Sequence, residues 1–150
     1  MTDDPIAAAL RPYADQIDLV NFAYERAPCT RRFLRPETDL VCYSVNWEQD
    51  LEFIHDDINS LPRGVTTILG GRTVTEDPRR WLEECPNVDG VVCGDGEQAI
   101  AEIAQGRSWS EVGGLSHRGA DGQLIHNPPR ANAPLDNDLM PARDLRRQPY

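Results

Sequence analysis

Three short segments in the middle of the chain carry residue types that suit the binding of a flat organic ligand. They are Ser44-Val45-Asn46-Trp47, Gly70-Gly71-Arg72 and Gly94-Asp95-Gly96-Glu97. The serine hydroxyl both donates and accepts hydrogen bonds, so Ser44 suits an amide or a ring nitrogen. The glycine pair allows a close approach of the ligand to the backbone and leaves N–H groups free beside a helix N-terminus. Glu97 supplies an acceptor for ligand amides or hydroxyls.

Each segment also has an ordinary structural explanation. The pair Gly70-Gly71 suits a tight turn from a strand to a helix, and Ser44 suits a helix cap. Asp95 and Glu97 carry charges that favour the first turn of a helix. Taken singly, the three signals are weak, but all three follow apolar runs, and this shared placement favours one site.

An alternation of strand and helix patterns positions these segments. Short apolar or β-branched runs predict strands, and apolar residues at helical spacing predict the helices between them. The predicted order is strand Asp39–Val45, helix Glu48–Leu61, strand Val65–Leu69, helix Asp77–Cys85, strand Val88–Cys93 and helix Ala99–Ala104. This order predicts an α/β fold, a mostly parallel sheet covered by helices. Ligands of such sheets bind beyond the carboxyl ends of the strands, so the three segments are expected at one edge.

The segments before this alternation predict less regular structure. The pattern of residues 5–14 predicts a short helix, which Pro12 is expected to end. The pattern of Ile17–Phe22 predicts a strand. Residues 25–38 read as an arginine-rich polar loop, expected to face solvent or a partner, with a ligand phosphate as a lesser alternative.

The segments after the alternation predict a hairpin and an extended tail. The runs 112–118 and 123–126 read as paired strands, with Asp121-Gly122 in the turn. Several prolines and little periodicity make 128–150 a proline-rich linker. We therefore predict an α/β domain over 1–127, followed by that linker.

Composition excludes several functions. The chain has 150 residues and a net charge of −10, and all 15 of its basic residues are arginine. Without lysine there is no P-loop phosphate site and no Schiff-base chemistry. The acidic balance disfavours nucleic acid as a partner. The apolar runs are too short to span a membrane, and the acidic start has no signal-peptide pattern, so a cytoplasmic protein is expected.

The four cysteines predict packing rather than metal binding. Cys29, Cys42, Cys85 and Cys93 form no Cys-x-x-Cys pair, so a zinc site or an iron–sulfur cluster held by this chain alone is not expected. Cys42 and Cys93 lie in apolar runs and are expected to be buried, and Cys85 is expected to pack. The arginines around Cys29 leave a reactive thiol as an alternative there.

The strands and the segments that follow them resemble a known family. Asp39–Trp47, Val65–Arg72 and Asn87–Glu97 resemble the cobalamin (B12)-binding domain of B12-dependent radical SAM enzymes. Gly113–Arg118 and Asp121–Asn127 resemble the closing hairpin of that family. The likeness is specific as an ensemble, since no single motif would be sufficient.

The resemblance implies a flavodoxin-like sheet that holds the corrinoid over its carboxyl edge. It implies that the dimethylbenzimidazole tail enters a slot lined by Ser44 and Gly70-Gly71, with Glu97 near the corrin rim or the tail. Asp136–Leu145 resembles the linker to the radical SAM barrel. In such enzymes the barrel, which holds S-adenosylmethionine and a [4Fe-4S] cluster, faces the other side of the corrin. Methyl transfer or rearrangement takes place between the two domains.

Two departures from the family pattern refine this expectation. The motif Asp-x-His-x-x-Gly, which supplies a histidine ligand to cobalt, is absent, and four residues before Pro5 leave no room for it or for a first strand. His55, His117 and His126 lie at other positions, so base-off cobalamin without a histidine from this chain is implied.

The second departure is the missing cluster motif Cys-x-x-x-Cys-x-x-Cys. Without it the chain alone cannot perform radical SAM chemistry. It is expected to be a fragment, a separate subunit or a relic of such an enzyme, working with a barrel in cis or in trans.

Two other function classes remain alternatives to a cobalamin module. One is a stand-alone flavodoxin-like interaction or regulatory domain without a cofactor; its phosphoreceiver version is disfavoured by the absence of lysine. The other is a nucleotide-binding enzyme at Gly70-Gly71, which is disfavoured because no Gly-x-Gly-x-x-Gly follows a strand. Trp47, Trp81 and Trp109 are expected to pack, with Trp47 the best candidate for a ligand contact.

Overall fold

A five-stranded mixed sheet forms the centre of the molecule. The computed structural model describes residues 5–23, 29–46, 51–131 and 142–145. The strands are β1 (Leu40–Ser44), β2 (Thr66–Gly70), β3 (Gly90–Val92), β4 (Leu115–Arg118) and β5 (Leu124–His126). The helices are α1 (Pro5–Leu10), α2 (Leu51–Asn59), α3 (Arg72–Glu76), α4 (Pro78–Glu84) and α5 (Gly96–Ala104).

The strands lie in the sheet in the order in which they occur in the chain. β1, β2 and β3 are parallel, and the β4–β5 hairpin joins β3 antiparallel. Both parallel crossovers move in the same direction across the sheet, so a right-handed connection places α2, α3 and α4 on one face. The predicted α/β class, flavodoxin-like and mostly parallel with a terminal hairpin, is confirmed.

The sheet has a hydrophobic cluster on each face. Strand residues alternate between the clusters: Leu69 and Val91 pack with α2, α3 and α4, whereas Ile68 and Val92 pack with α1 and α5. Leu69 and Val91 are both 0% exposed. Complete burial of a side chain of this size contributes about 1.5–3 kcal/mol, so these alternating positions determine which face each helix covers.

Several sequence predictions differ from the structure at the margins of this core. Ile17–Phe22 is not a strand; only Leu19 forms a bridge, and Asp18 instead pairs with Arg35 at 2.9 Å. Asp18 and Asn21 interrupt the apolar run three residues apart, so the segment lacks the alternation of a half-buried strand. The first helix ends at Leu10, where its carbonyl accepts a hydrogen bond from the N–H of Tyr13, ahead of the expected end at 14.

The helix boundaries and the burial of one cysteine also differ from the predictions. The short helix α3 was not predicted, α5 begins at Gly96 rather than Ala99, and residues 48–50 of the predicted second helix lie outside the described residues. Cys42 is exposed, not buried, because β1 is an outer strand of the sheet. Cys85 is buried as predicted, and Cys93 is partly buried against the core.

Two side chains outside the helices donate hydrogen bonds to the carbonyls at the helix ends. The Asn87 amide donates to the carbonyls of Ile58, Asn59 and Leu61 at 3.1–3.2 Å, in and just beyond the last turn of α2. The Arg118 guanidinium in β4 donates to the carbonyl of Cys85 at 3.2 Å, and also to the carbonyls of Leu82 in α4 and Val88 before β3. Carbonyls at a helix C-terminus lack partners within the helix. Asn87 therefore joins the loop before β3 to α2, and Arg118 joins the hairpin to α4.

The residues after the hairpin pack against the domain. The Gly114 N–H donates to the Pro128 carbonyl at 2.9 Å, and Arg130 makes two hydrogen bonds to the Glu102 carboxylate. Ala142 is buried, and Asp144 pairs with Arg11 just beyond α1. The described parts of 128–150 therefore contact the core helices on the side of α1 and α5.

Asp57 on α2 is a buried carboxylate with three hydrogen-bond donors. It accepts from the Thr30 N–H at 2.9 Å, the Thr30 hydroxyl at 2.6 Å and the Tyr43 hydroxyl at 2.7 Å. Burial is the main reason that the pKa of Tyr43 is raised above its ordinary value. This network attaches the 29–35 segment and β1 to α2.

We expect Asp57→Ala to lower the free energy of unfolding by about 2–4 kcal/mol, since it leaves buried donors without an acceptor. Urea unfolding measures this loss. The control is Asp56→Ala, an exposed neighbour on the same helix, whose change should stay within about 0.5 kcal/mol. Equal effects of the two substitutions would contradict the role given to Asp57.

Glu102 gives the stability a pH dependence. The hydrogen bonds from Arg130, more than the charges of Arg130 and Arg107, lower the pKa of the buried Glu102 carboxyl. A group with a lowered folded pKa stabilises the fold above its unfolded pKa of about 4.3. This contribution is lost as the pH falls through the lower folded pKa.

The stability difference between the wild type and Glu102→Gln should therefore be full above about pH 5 and shrink as the pH falls below the unfolded pKa of about 4.3. Urea unfolding over this range measures it. A difference that stays constant with pH would show that the carboxylate charge does not matter.

Candidate functional site

The ends of β1, β2 and β3 bring the predicted site residues to one edge of the sheet, here called the carboxyl edge. Ser44 lies opposite Gly70 in the parallel ladder, and Leu69 lies opposite Val91. Adjacent strands are about 4.8 Å apart, so the three strand ends span about 10 Å. The segment Gly94–Glu97 follows β3 at the same edge, as predicted.

Six of the predicted site residues, 44–46 and 70–72, lie together at the ends of β1 and β2, where hydrogen bonds connect the two strand ends. The Val45 N–H donates to the Gly70 carbonyl at 2.8 Å, and the Val45 carbonyl accepts from the Thr73 N–H at 3.1 Å. The Val45 side chain is 1% exposed and belongs to the core. The Val45 side chain therefore packs in the core beneath the carboxyl edge. Its backbone N–H and its carbonyl are both hydrogen-bonded.

Asn46 connects the two strand ends through its side chain. Its amide nitrogen, Nδ2, is 3.1 Å from the Ser44 hydroxyl oxygen, and its Oδ1 accepts from the backbone N–H of Arg72 at 3.1 Å. Ser44 and Arg72 are themselves exposed. Trp47 lies outside the described residues.

The two glycines differ in what surrounds them. A Cβ on Gly70 would have no atom within 4 Å, so the backbone there faces open space. Gly71 has φ +101°, and a Cβ there would lie 2.5 Å from the Val45 carbonyl oxygen and 2.8 Å from Asn46 Oδ1. The tight-turn explanation thus applies to Gly71, while Gly70 leaves the edge accessible.

The third segment begins α5 without contacting the other two strand ends through any described side chain. Asp95 is the N-cap of α5 but makes no capping hydrogen bond with its side chain, and Glu97 lies in the first turn. A Cβ on Gly94 would meet nothing within 4 Å, whereas one on Gly96 would lie 2.9 Å from Ile6. Gly94 and Asp95 are therefore open at the edge, and Gly96 packs beneath α1.

The described residues at the carboxyl edge form an open surface, since a Cβ on Gly70 or Gly94 would meet nothing within 4 Å. A groove lies elsewhere, between α4 and the hairpin, and is lined by residues such as Arg79, Glu83, Arg118 and Leu124. A large flat ligand at the edge would keep one side exposed.

The described part of the arginine-rich loop, residues 29–38, lies away from the carboxyl edge. Thr30 is hydrogen-bonded to Asp57, and the Arg31 guanidinium donates to the Ser60 carbonyl at 3.4 Å, just beyond the last turn of α2. Because α2 returns from the carboxyl edge to the start of β2, its last turn lies at the opposite edge. The described arginines of this loop therefore give no support for a phosphate contact at the strand ends.

All three histidines of the chain lie away from the ends of β1 and β2. His55 is on α2, within 3.2 Å of Asn59, and His117 is buried in β4 against Trp109. His126 in β5 is 2.8 Å from the Ser116 hydroxyl. No three acidic, cysteine or histidine side chains among the described residues converge to hold a metal ion. None of the described helices is both long and apolar enough to cross a bilayer.

The fold of this chain is similar to part of a protein of known structure. TsrM, a radical S-adenosylmethionine methyltransferase from Kitasatospora setae solved with cobalamin and a [4Fe-4S] cluster bound, aligns over 94% of this chain with a TM-score of 0.69 and 19% identity. This chain shares its fold with part of TsrM. The resemblance inferred from the sequence is thus confirmed at the level of the fold.

Two further proteins are similar to this chain. The N-terminal domain of the hypothetical protein TM0182 from Thermotoga maritima aligns over 72% of this chain and 89% of its own, at 29% identity and a TM-score of 0.54. The uncharacterized methyltransferase PH0819 of Pyrococcus horikoshii is 33% identical over 91 residues. No family model matches the sequence.

The chain is short beside the enzymes that it matches. It covers 28% of TsrM and 20% of PH0819. The likeness to TsrM therefore concerns one segment of a much longer protein.

The two glycines of the site give a direct test of this geometry. We expect Gly71→Ala to lower the free energy of unfolding by at least about 2 kcal/mol, because it combines a strained φ with contact against the β1 backbone. Gly70→Ala, its neighbour, should change it by less than about 1 kcal/mol. Urea unfolding of both variants measures this, and similar losses for both would contradict the separate roles.

Proposed function

We propose that this chain is the cobalamin-binding module of a radical SAM enzyme. The observation that carries the proposal is the open backbone at Gly70, beside the exposed hydroxyl of Ser44, at the carboxyl edge of a sheet whose fold is shared with TsrM. TsrM was solved with cobalamin bound. Ligands of parallel α/β sheets bind at this edge.

The residues at the edge suit a corrinoid with a nucleotide tail. Gly70 leaves a gap that any side chain would fill, and Ser44 offers a hydroxyl to a ring nitrogen in that gap. Gly94 and Asp95 lie exposed beside them and would face the corrin rim, with Glu97 behind. Cobalamin, when bound, supplies a cobalt ion for methyl transfer or rearrangement chemistry.

The cobalamin would bind base-off and without a histidine from this chain. The proposal rests on the positions of His55, His117 and His126, which belong to α2 and the hairpin. The protein's part is then to hold the displaced tail in the slot between β1 and β2.

The catalytic partner would be a radical SAM barrel, in cis or in trans, that holds S-adenosylmethionine and the [4Fe-4S] cluster. Two features support this: the carboxyl edge is open on its outer side, and the chain covers only a small part of the enzymes that it matches. Residues 128–150 would form the linker towards that barrel. The proposal therefore includes the barrel as the partner, a domain over 1–127 that precedes the linker, and a cytoplasmic location.

We expect the purified chain to bind hydroxocobalamin and to give the absorption spectrum of the base-off form. Gly70→Val should weaken this binding at least about tenfold with the fold intact, because its side chain fills the slot and its Cβ meets no protein atom within 4 Å. Absorbance titration measures the affinity, and circular dichroism measures the fold. Gly71 is unsuitable for this test, since a side chain there would disturb β1.

The matched control is Thr66→Val at the opposite end of the same strand, which should bind like the wild type. A wild-type chain that remains colourless would contradict the proposal and favour an interaction or regulatory domain without a cofactor. Retained binding in Gly70→Val would place the ligand elsewhere.

A further inference from the structure

The orientation of the Asn46 side-chain amide follows from a single backbone contact. The Arg72 N–H can only donate, so the group that faces it at 3.1 Å must be the amide oxygen of Asn46. The NH2 group therefore faces Ser44, whose hydroxyl oxygen lies 3.1 Å from Nδ2. The donor and acceptor of this amide are thereby assigned.

This orientation determines how the Ser44 hydroxyl can act. An NH2 group has no acceptor to offer, so the hydroxyl oxygen accepts from Asn46 and its own proton must point away. Ser44 is exposed at the end of β1, on the carboxyl edge. The hydroxyl is thus presented to a ligand as a hydrogen-bond donor.

Gly71 is required for this arrangement. A Cβ at that position would lie 2.8 Å from Asn46 Oδ1 and 2.7 Å from the Val45 nitrogen, closer than real side chains approach. The Asn46 amide can therefore reach the Arg72 N–H only across a glycine. Gly70, in contrast, has open space above it.

We infer that Asn46 is a positioning residue, which sets the Ser44 hydroxyl as a hydrogen-bond donor towards an acceptor nitrogen of the ligand's nucleotide base. The inference rests on the proposed function. In the base-off form, the benzimidazole nitrogen released from cobalt is such an acceptor. Asn46 itself, which the sequence suggested as a cofactor contact, acts through Ser44.

The test is Asn46→Asp, which nearly preserves the shape of the side chain but reverses the direction of the Ser44 hydrogen bond. One carboxylate oxygen still accepts from the Arg72 N–H, and the other now accepts the Ser44 proton, which turns it away from the ligand. Hydroxocobalamin binding should weaken about tenfold. Binding of cobinamide, which lacks the nucleotide base, should change less than about twofold.

A double-mutant cycle separates the direction of the hydrogen bond from the added charge. Ser44→Ala should weaken hydroxocobalamin binding about as much as Asn46→Asp, and the double variant should bind like Ser44→Ala alone. If the new carboxylate acted by its charge, its effect would persist without the hydroxyl. Thermal unfolding checks each variant; if Asn46→Asp does not fold, Asn46→Ala takes its place with an expected loss of about threefold for hydroxocobalamin only.

The outcomes separate the inference from the proposed function. Wild-type protein that binds neither corrinoid overturns the proposed function and the inference with it. Binding by the wild type with no loss in Asn46→Asp, an equal loss for cobinamide, or a further loss in the Ser44→Ala background overturns the inference alone.

Discussion

The in-register parallel pairing of β1 with β2 is the constraint on which the candidate site depends. It places Ser44 opposite Gly70, so that a hydroxyl and a bare stretch of backbone lie side by side. The register is held by the core, since Tyr43 and Leu69 are both buried on the same face of the sheet. A slip by one residue would turn these side chains to the opposite face, which makes the register costly to change.

The polar contacts beyond the last ladder pair extend this order into the loops. Val45 and Asn46 use backbone and side-chain groups to hold the turn that begins α3, and Gly71 provides the space for them. The result is a rigid pair of strand ends with one open backbone position. A rigid edge lowers the conformational entropy that a ligand must overcome on binding.

Much of this fold follows from hydrophobic periodicity. The strands around Cys42, Ile68 and Val91 were predicted because short β-branched runs alternate with helical spacing, and the edge on which their ends meet follows from parallel pairing. Ile17–Phe22 was assigned wrongly because a local apolar pattern does not reveal that Asp18 pairs with Arg35. The exposure of Cys42 depends on strand order, which periodicity does not contain.

Within the site, the sequence predicted which residues lie together but not the separate role of each residue. Gly70 and Gly71 are indistinguishable in the sequence, and only φ and the distance to Val45 separate them. The role of Asn46 depends on a contact with Arg72 across two strands, which no spacing rule gives. One signal was present: an asparagine two residues beyond a strand is well suited to bond with nearby backbone.

Amide chemical shifts recorded while hydroxocobalamin is added to the labelled chain test the central claim most directly. The account predicts that the largest changes fall on the carboxyl edge, at Ser44, Gly70 and Gly94. Residues lining the groove between α4 and the hairpin, such as Arg79 and Leu124, should stay unchanged. Changes concentrated in that groove, or none at the strand ends, would contradict a corrinoid site on this edge.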